Sequence, residues 1–166
     1  MEKETKSKGV CKMKSSGRYA KKLNRKRVLI CMLVFFAFLP VFSYLHEAGH
    51  ALVCAADGNE SEITLGIDGG TTLCYGEVSN IFAYKISGGL LAGVVGTAAG
   101  IALFRWKILF IVLTTLGAGH LINAGIETFA DSYFTSAVEW STFLGLVEFV
   151  IFLTLLLIFD RRKVYA

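Results

Sequence analysis

Four long apolar stretches organise this chain, at residues 28–56, 81–104, 108–130 and 137–159. Each is about 20 residues or longer, the length a helix needs to cross a bilayer. Pro40 is the only proline, so the helices run on without the usual breaker. The first stretch is either one helix longer than the bilayer or a span that bends at Pro40 and continues as a second piece. Between the first two stretches the period changes. In SEITLGIDGGTTLCYGEV, residues 61–78, Ile63, Leu65 and Ile67 alternate with polar residues, and Asp68-Gly69-Gly70 supplies a turn. That pattern predicts a β-hairpin lying at one membrane face. Its free edge suits an extended peptide held by backbone hydrogen bonds, and an ordinary loop cover is the plainer reading. The fold class expected is an all-α polytopic membrane protein, with about four transmembrane helices and a small β-hairpin between spans one and two.

Composition sharpens this. The chain is 54% hydrophobic with a mean hydropathy of +0.58, which excludes an ordinary soluble domain of its 166 residues. Cys11, Cys31, Cys54 and Cys74 show no CxxC pair. They read as small apolar fillers, with Cys54–Cys74 the one conceivable disulfide if both face an oxidising side.

Charge sets an orientation. Residues 1–27 carry eleven Lys/Arg against two Glu and read as a disordered cytoplasmic tail. The tail serves topology or contact with anionic lipid rather than nucleic acid. Arg105 and Lys107 bracket the junction of spans two and three, and Arg161, Arg162 and Lys163 follow span four. Residues 57–80 hold five acidic residues and no basic one, and residues 131–139 hold only Asp131 and Glu139. The positive-inside rule then places both termini in the cytoplasm and the acidic loops outside. A membrane-embedded domain spans 28–160, and a short cytoplasmic tail covers 161–166.

Polar residues inside the apolar stretches carry the chemistry. His46-Glu47-Ala48-Gly49-His50 is an HExxH motif. On a helix His46 and His50 share one face and can bind one Zn²⁺, with Glu47 close enough to act as a base on water. The bland alternative is two histidines satisfied by hydrogen bonds within a bundle. Ionisable groups buried in lipid are usually functional, which favours the metal. A third ligand is needed, and span three offers His120, Asn123, Glu127 and Asp131 within about 80° on one helical face. Counting about 1.5 Å per residue from Arg27 puts the histidine pair about 28–35 Å from the inner boundary. The same count from Lys107 gives about 30 Å for Glu127, 36 Å for Asp131 and only 20 Å for His120. His120 is therefore expected to lie too deep to join the pair. Glu148 in span four counts to about the same height as His120, so the two are expected to pair below the metal. Gly89, Gly93, Gly96 and Gly100 give span two small-xxx-small patterns for close helix packing.

The combination of HEAGHAL, a hairpin, the small-residue segment SGGLLAG and the N-x₇-D spacing of Asn123 and Asp131 resembles the site-2 protease class of intramembrane zinc metalloproteases. That family's motif N-x-x-P-x-P-x-x-D-G lacks both prolines here, and Ser132 stands in place of the glycine. The resemblance implies zinc held by His46, His50 and Asp131, with Glu47 as general base. Glu127-x-x-x-Asp131 also resembles soluble zinc peptidases in which the Glu binds metal and the Asp orients a ligand histidine. Helical depth favours Glu127 and family spacing favours Asp131. Asn123 would hydrogen-bond the tetrahedral intermediate or the substrate backbone. The function expected is a zinc-dependent peptidase cutting membrane-embedded or membrane-adjacent protein or peptide substrates, with its metal site toward the outer side. A zinc-dependent hydrolase of lipid amides and a non-catalytic metal-binding protein are the other classes.

Overall fold

Lipid offers no partner to a backbone N–H or C=O, so long apolar runs satisfy those groups internally as helices. In the computed structural model, which describes residues 25–66, 69–130 and 137–161, the four stretches fold as α1 (Arg25–Ala56), α2 (Ile81–Ala102), α3 (Lys107–Phe129) and α4 (Ala137–Arg161). All four are long and apolar enough to cross a membrane. Between α1 and α2, strands β1 (Glu60–Gly66) and β2 (Gly69–Tyr75) form an antiparallel hairpin. Residues 1–24, which hold most of the basic tail, and 162–166 lie outside the described residues, as do Asp131 and Ser132.

Pro40 sits inside α1 without interrupting it. Of the two readings of the first span, one continuous helix is therefore correct. Its 32 residues make it about 48 Å long, well beyond a bilayer's hydrocarbon core. Except for Cys31, the buried residues of α1 lie in its C-terminal half, among them Phe42, His46, Glu47, His50 and Cys54.

α3 is the central helix, packed on α1, α2 and α4. Its closest partner is α2, and the glycines explain why. A side chain at Gly89 would run into the backbone of His120 and Ala124, one at Gly93 into Leu121, and one at Gly100 into Thr114. The small-residue stripe thus brings two helix backbones together, as the sequence pattern implies. The apolar core lies toward one end of the bundle, with Cys31, Ile111, Val112, Leu116, Phe152 and Leu156 in one cluster. The C-terminal end of α1, the N-terminus of α2, the C-terminal end of α3 and the hairpin gather at the opposite end.

The hairpin register pairs Glu60 with Tyr75, Ile63 with Thr72 and Gly66 with Gly69. Gly69 and Gly70 therefore belong to β2 rather than to the turn, and residues 67 and 68, which close the hairpin, lie outside the described residues. The base of the hairpin is fixed by hydrogen bonds. Asn59 Nδ2 donates to the Glu77 carbonyl at 2.8 Å, and Ser79 donates to Asp57 through its amide at 2.9 Å and its hydroxyl at 2.6 Å. The Ser79 hydroxyl, then its amide, holds the Asp57 carboxyl below the usual carboxylate range.

Of the two readings of Cys54 and Cys74, fillers or the one conceivable disulfide, the second holds. The disulfide ties β2 to the last turns of α1, with Cα atoms 5.9 Å apart. The pairing depends on β2 running back across α1, which the 20-residue separation does not reveal. Cys31 is the free, buried cysteine among the described residues.

Candidate metal centre

His46 and His50 stand one turn apart on α1, both buried, with Nε2 atoms 3.1 Å from each other. The His50 Nδ1 lies 2.7 Å from the Tyr84 carbonyl on α2. A carbonyl only accepts, so Nδ1 carries the proton and Nε2 presents its lone pair. From α3, the Glu127 carboxylate reaches both rings, with Oε2 3.4 Å from His46 Nε2 and Oε1 3.3 Å from His50 Nε2. Glu127 is only 4% exposed. Together His46, His50 and Glu127 form a buried group that could hold a metal ion.

Gly88 on α2 backs this group. A Cβ there would overlap the Nε2 of His50 and crowd that of His46. Gly49, between the two histidines in sequence, likewise leaves room for the backbone of Ser87 and Gly88. Two missing side chains thus let α2 press against the imidazoles.

Glu47 points toward the hairpin. Thr72 Oγ1 on β2 lies 2.8 Å from Glu47 Oε2 and 2.9 Å from the Glu47 carbonyl. Gly70, facing the same way two residues earlier, has no side chain where the Glu47 carboxylate runs. The Tyr84 hydroxyl donates to the Thr72 carbonyl at 3.3 Å, so one residue of α2 touches both His50 and β2.

A cavity of about 550 Å³ opens beside these groups, lined by His46, Glu47, Gly70, His120, Asn123 and Glu148 among others. Several polar atoms on it are buried without a hydrogen-bond partner: Nδ1 of His46, Nδ1 of His120 and Oδ1 of Asn123. Buried polar groups are normally satisfied, and such exceptions gather at working sites.

Five of the expected residues come together: His46, Glu47, His50, Asn123 and Glu127. The sixth, Asp131, lies outside the described residues. His120 stays outside the ligand group, as its depth count implied, but it lies nearer the pair than that count allowed. Its ring is 5.4 Å from that of His46 and stacks on Phe42 at 5.6 Å, so it lines the cavity rather than lying far below it. Counting rise from a basic residue assumes that each helix starts at the same boundary, and the short distance between the His46 and His120 rings shows that α1 and α3 do not. The His120–Glu148 pair does not form. No ion pair or hydrogen bond joins them, and the Glu148 carboxyl packs where a side chain at Gly119 would sit. Thr72, Tyr84 and Gly88 were not singled out from sequence. Gly88 falls within SGGLLAG, so the small-residue segment held its signal; nothing marked Thr72.

The chain matches no protein-family model, no curated protein and no solved structure.

Proposed function

We propose that this protein is a zinc-dependent membrane peptidase, built like the site-2 protease class that its HEAGH motif resembles. The observation that carries the reading is the cluster of donor atoms. The two Nε2 atoms stand 3.1 Å apart, and each lies 3.3–3.4 Å from one of the two Glu127 oxygens, close to the roughly 3.3–3.4 Å that separates ligands about 2.0–2.1 Å from a tetrahedral zinc. His46, His50 and Glu127 would hold the ion, leaving a fourth position for water or substrate. An ion held by these residues would supply Lewis-acid chemistry, lowering the pKa of water and polarising a scissile carbonyl. Glu47 takes the proton from that water and later passes it to the leaving amine. Asn123, with its Oδ1 unsatisfied on the cavity wall, accepts from a substrate N–H or turns its amide toward the developing oxyanion.

The substrate is an unwound segment of a membrane-embedded or membrane-adjacent protein, lying beside the hairpin. The four helices span the bilayer with both termini in the cytoplasm and the metal site toward the outer side. One observation favours a second reading. An apolar groove of about 280 Å³ between α1 and α4, lined by Met32, Phe36 and Phe149, shares Leu39, Gly145 and Glu148 with the site cavity. Such a groove suits an acyl chain, and a lipid amide would then be the substrate.

The test is Glu47→Gln in purified, zinc-loaded protein. Zinc content should stay unchanged while hydrolysis of an unwound transmembrane peptide falls by at least about 10²-fold, the lower end of the usual range for a lost general base. Equal hydrolysis by both forms would remove the mechanism, and cleavage of N-acyl amides but not peptides would select the second reading.

A further inference from the structure

The general base proposed above has a partner that the HExxH motif does not contain. Thr72 Oγ1 lies 2.8 Å from Glu47 Oε2 and 2.9 Å from the Glu47 carbonyl; its single proton has two acceptors on one residue, and the carboxylate is the stronger. The strand that carries Thr72 is held in place from three directions. Cys74, two residues on, is bonded to Cys54 on α1. The Thr72 carbonyl accepts from the Tyr84 hydroxyl, and the Tyr84 carbonyl accepts from His50. Gly70 gives the Glu47 side chain the space it occupies. A hairpin that merely covered the end of the bundle would have no need of a hydroxyl aimed at a buried carboxylate, nor of a glycine cut away for it.

We infer that Thr72 is a positioning residue for Glu47, and that the Cys54–Cys74 disulfide, by clamping β2 onto α1, keeps Thr72 in place. The hairpin is then part of the catalytic unit. Thr72 holds Oε2, which fixes the carboxylate's rotation and leaves the other oxygen to work on water. This inference rests on the peptidase reading, and its failure is separable from the failure of that reading.

The consequences are specific. Thr72→Val keeps the shape and removes the donor; Thr72→Ser keeps the donor. Thr72→Val should lower kcat about 10- to 100-fold, the scale expected when a catalytic group loses its alignment, with KM and zinc content little changed. Thr72→Ser should restore most of kcat. The double variant Cys54→Ser/Cys74→Ser should lower kcat in the same way, with zinc retained. A second readout needs no turnover. In infrared difference spectra the Glu47 carboxylate band, identified by its loss in Glu47→Gln, should shift in Thr72→Val and stay in place in Thr72→Ser. If Glu47→Gln abolishes hydrolysis while Thr72→Val changes neither kcat nor the band, the inference is wrong and the peptidase stands. If Thr72→Ser is as impaired as Thr72→Val, the role of Thr72 is packing and the inference again falls. If no variant alters hydrolysis, Glu47 included, the peptidase reading goes first; a band unmoved in Thr72→Val would then remove the Thr72–Glu47 contact as well.

Discussion

At the scale of single residues, the HExxH triplet was legible because its spacing is a statement about helix geometry, and α1 obeys it. The third ligand was not. Four polar residues on one face of α3 satisfy the same angular test; depth set His120 aside but left Glu127 and Asp131 open, and the approach of Glu127 to both imidazoles is what the structure adds. His120 was placed too deep because depth was counted along separate helices that do not begin level. Glu148 was paired with His120 on the same count, although its carboxyl folds against Gly119 instead. The residue-scale prediction concerns Gly88, whose missing side chain makes room for both imidazoles. Gly88→Ala should weaken zinc binding by about 10-fold or more, the scale of misoriented ligands, measured by competition with a chromophoric chelator. Unchanged affinity would show that α2 does not support the ligand geometry.

At the scale of elements, all four helices were legible to within a few residues, because a run of apolar side chains long enough for a bilayer leaves little choice of structure. The hairpin was legible from its alternation, although Gly69 and Gly70, expected in the turn, belong to β2. What periodicity could not convey is which elements touch. That β2 returns across α1 decides the Cys54–Cys74 disulfide and the Thr72–Glu47 contact together, and neither follows from local pattern. The glycine stripe of α2 did announce its function, since small residues three and four apart on one helix face imply a close neighbour. A side chain at Gly96 would meet the Phe42 ring and the Gly117 backbone. Gly96→Val should therefore destabilise the bundle by about 1–3 kcal/mol through overpacking, read as a lower thermal midpoint in detergent. Gly125→Ala on α3 is the contrast, for nothing lies within 4 Å of its missing side chain. That change should leave the midpoint level or raise it, since alanine is the better helix former.

At the scale of the whole molecule, an apolar core at one end of the bundle supports a polar, partly unsatisfied site at the other, roofed by a disulfide-clamped hairpin. The orientation proposed from charge puts the hairpin outside. In a Cys11→Ser background, Glu77→Cys should react with an impermeant maleimide on intact cells, whereas native Cys11 in the unaltered chain should react only after permeabilisation. The reverse pattern would move the site to the cytoplasmic face. The central claim is that α1 and α3 share one metal ion through His46, His50 and Glu127. The most direct measurement is the zinc content of purified protein and of two single variants, Glu127→Ala and Asp131→Ala. A ligand set of His46, His50 and Glu127 predicts about one zinc per chain in the unaltered protein, its loss in Glu127→Ala and its retention in Asp131→Ala. Full zinc in Glu127→Ala, with loss in Asp131→Ala, would contradict it.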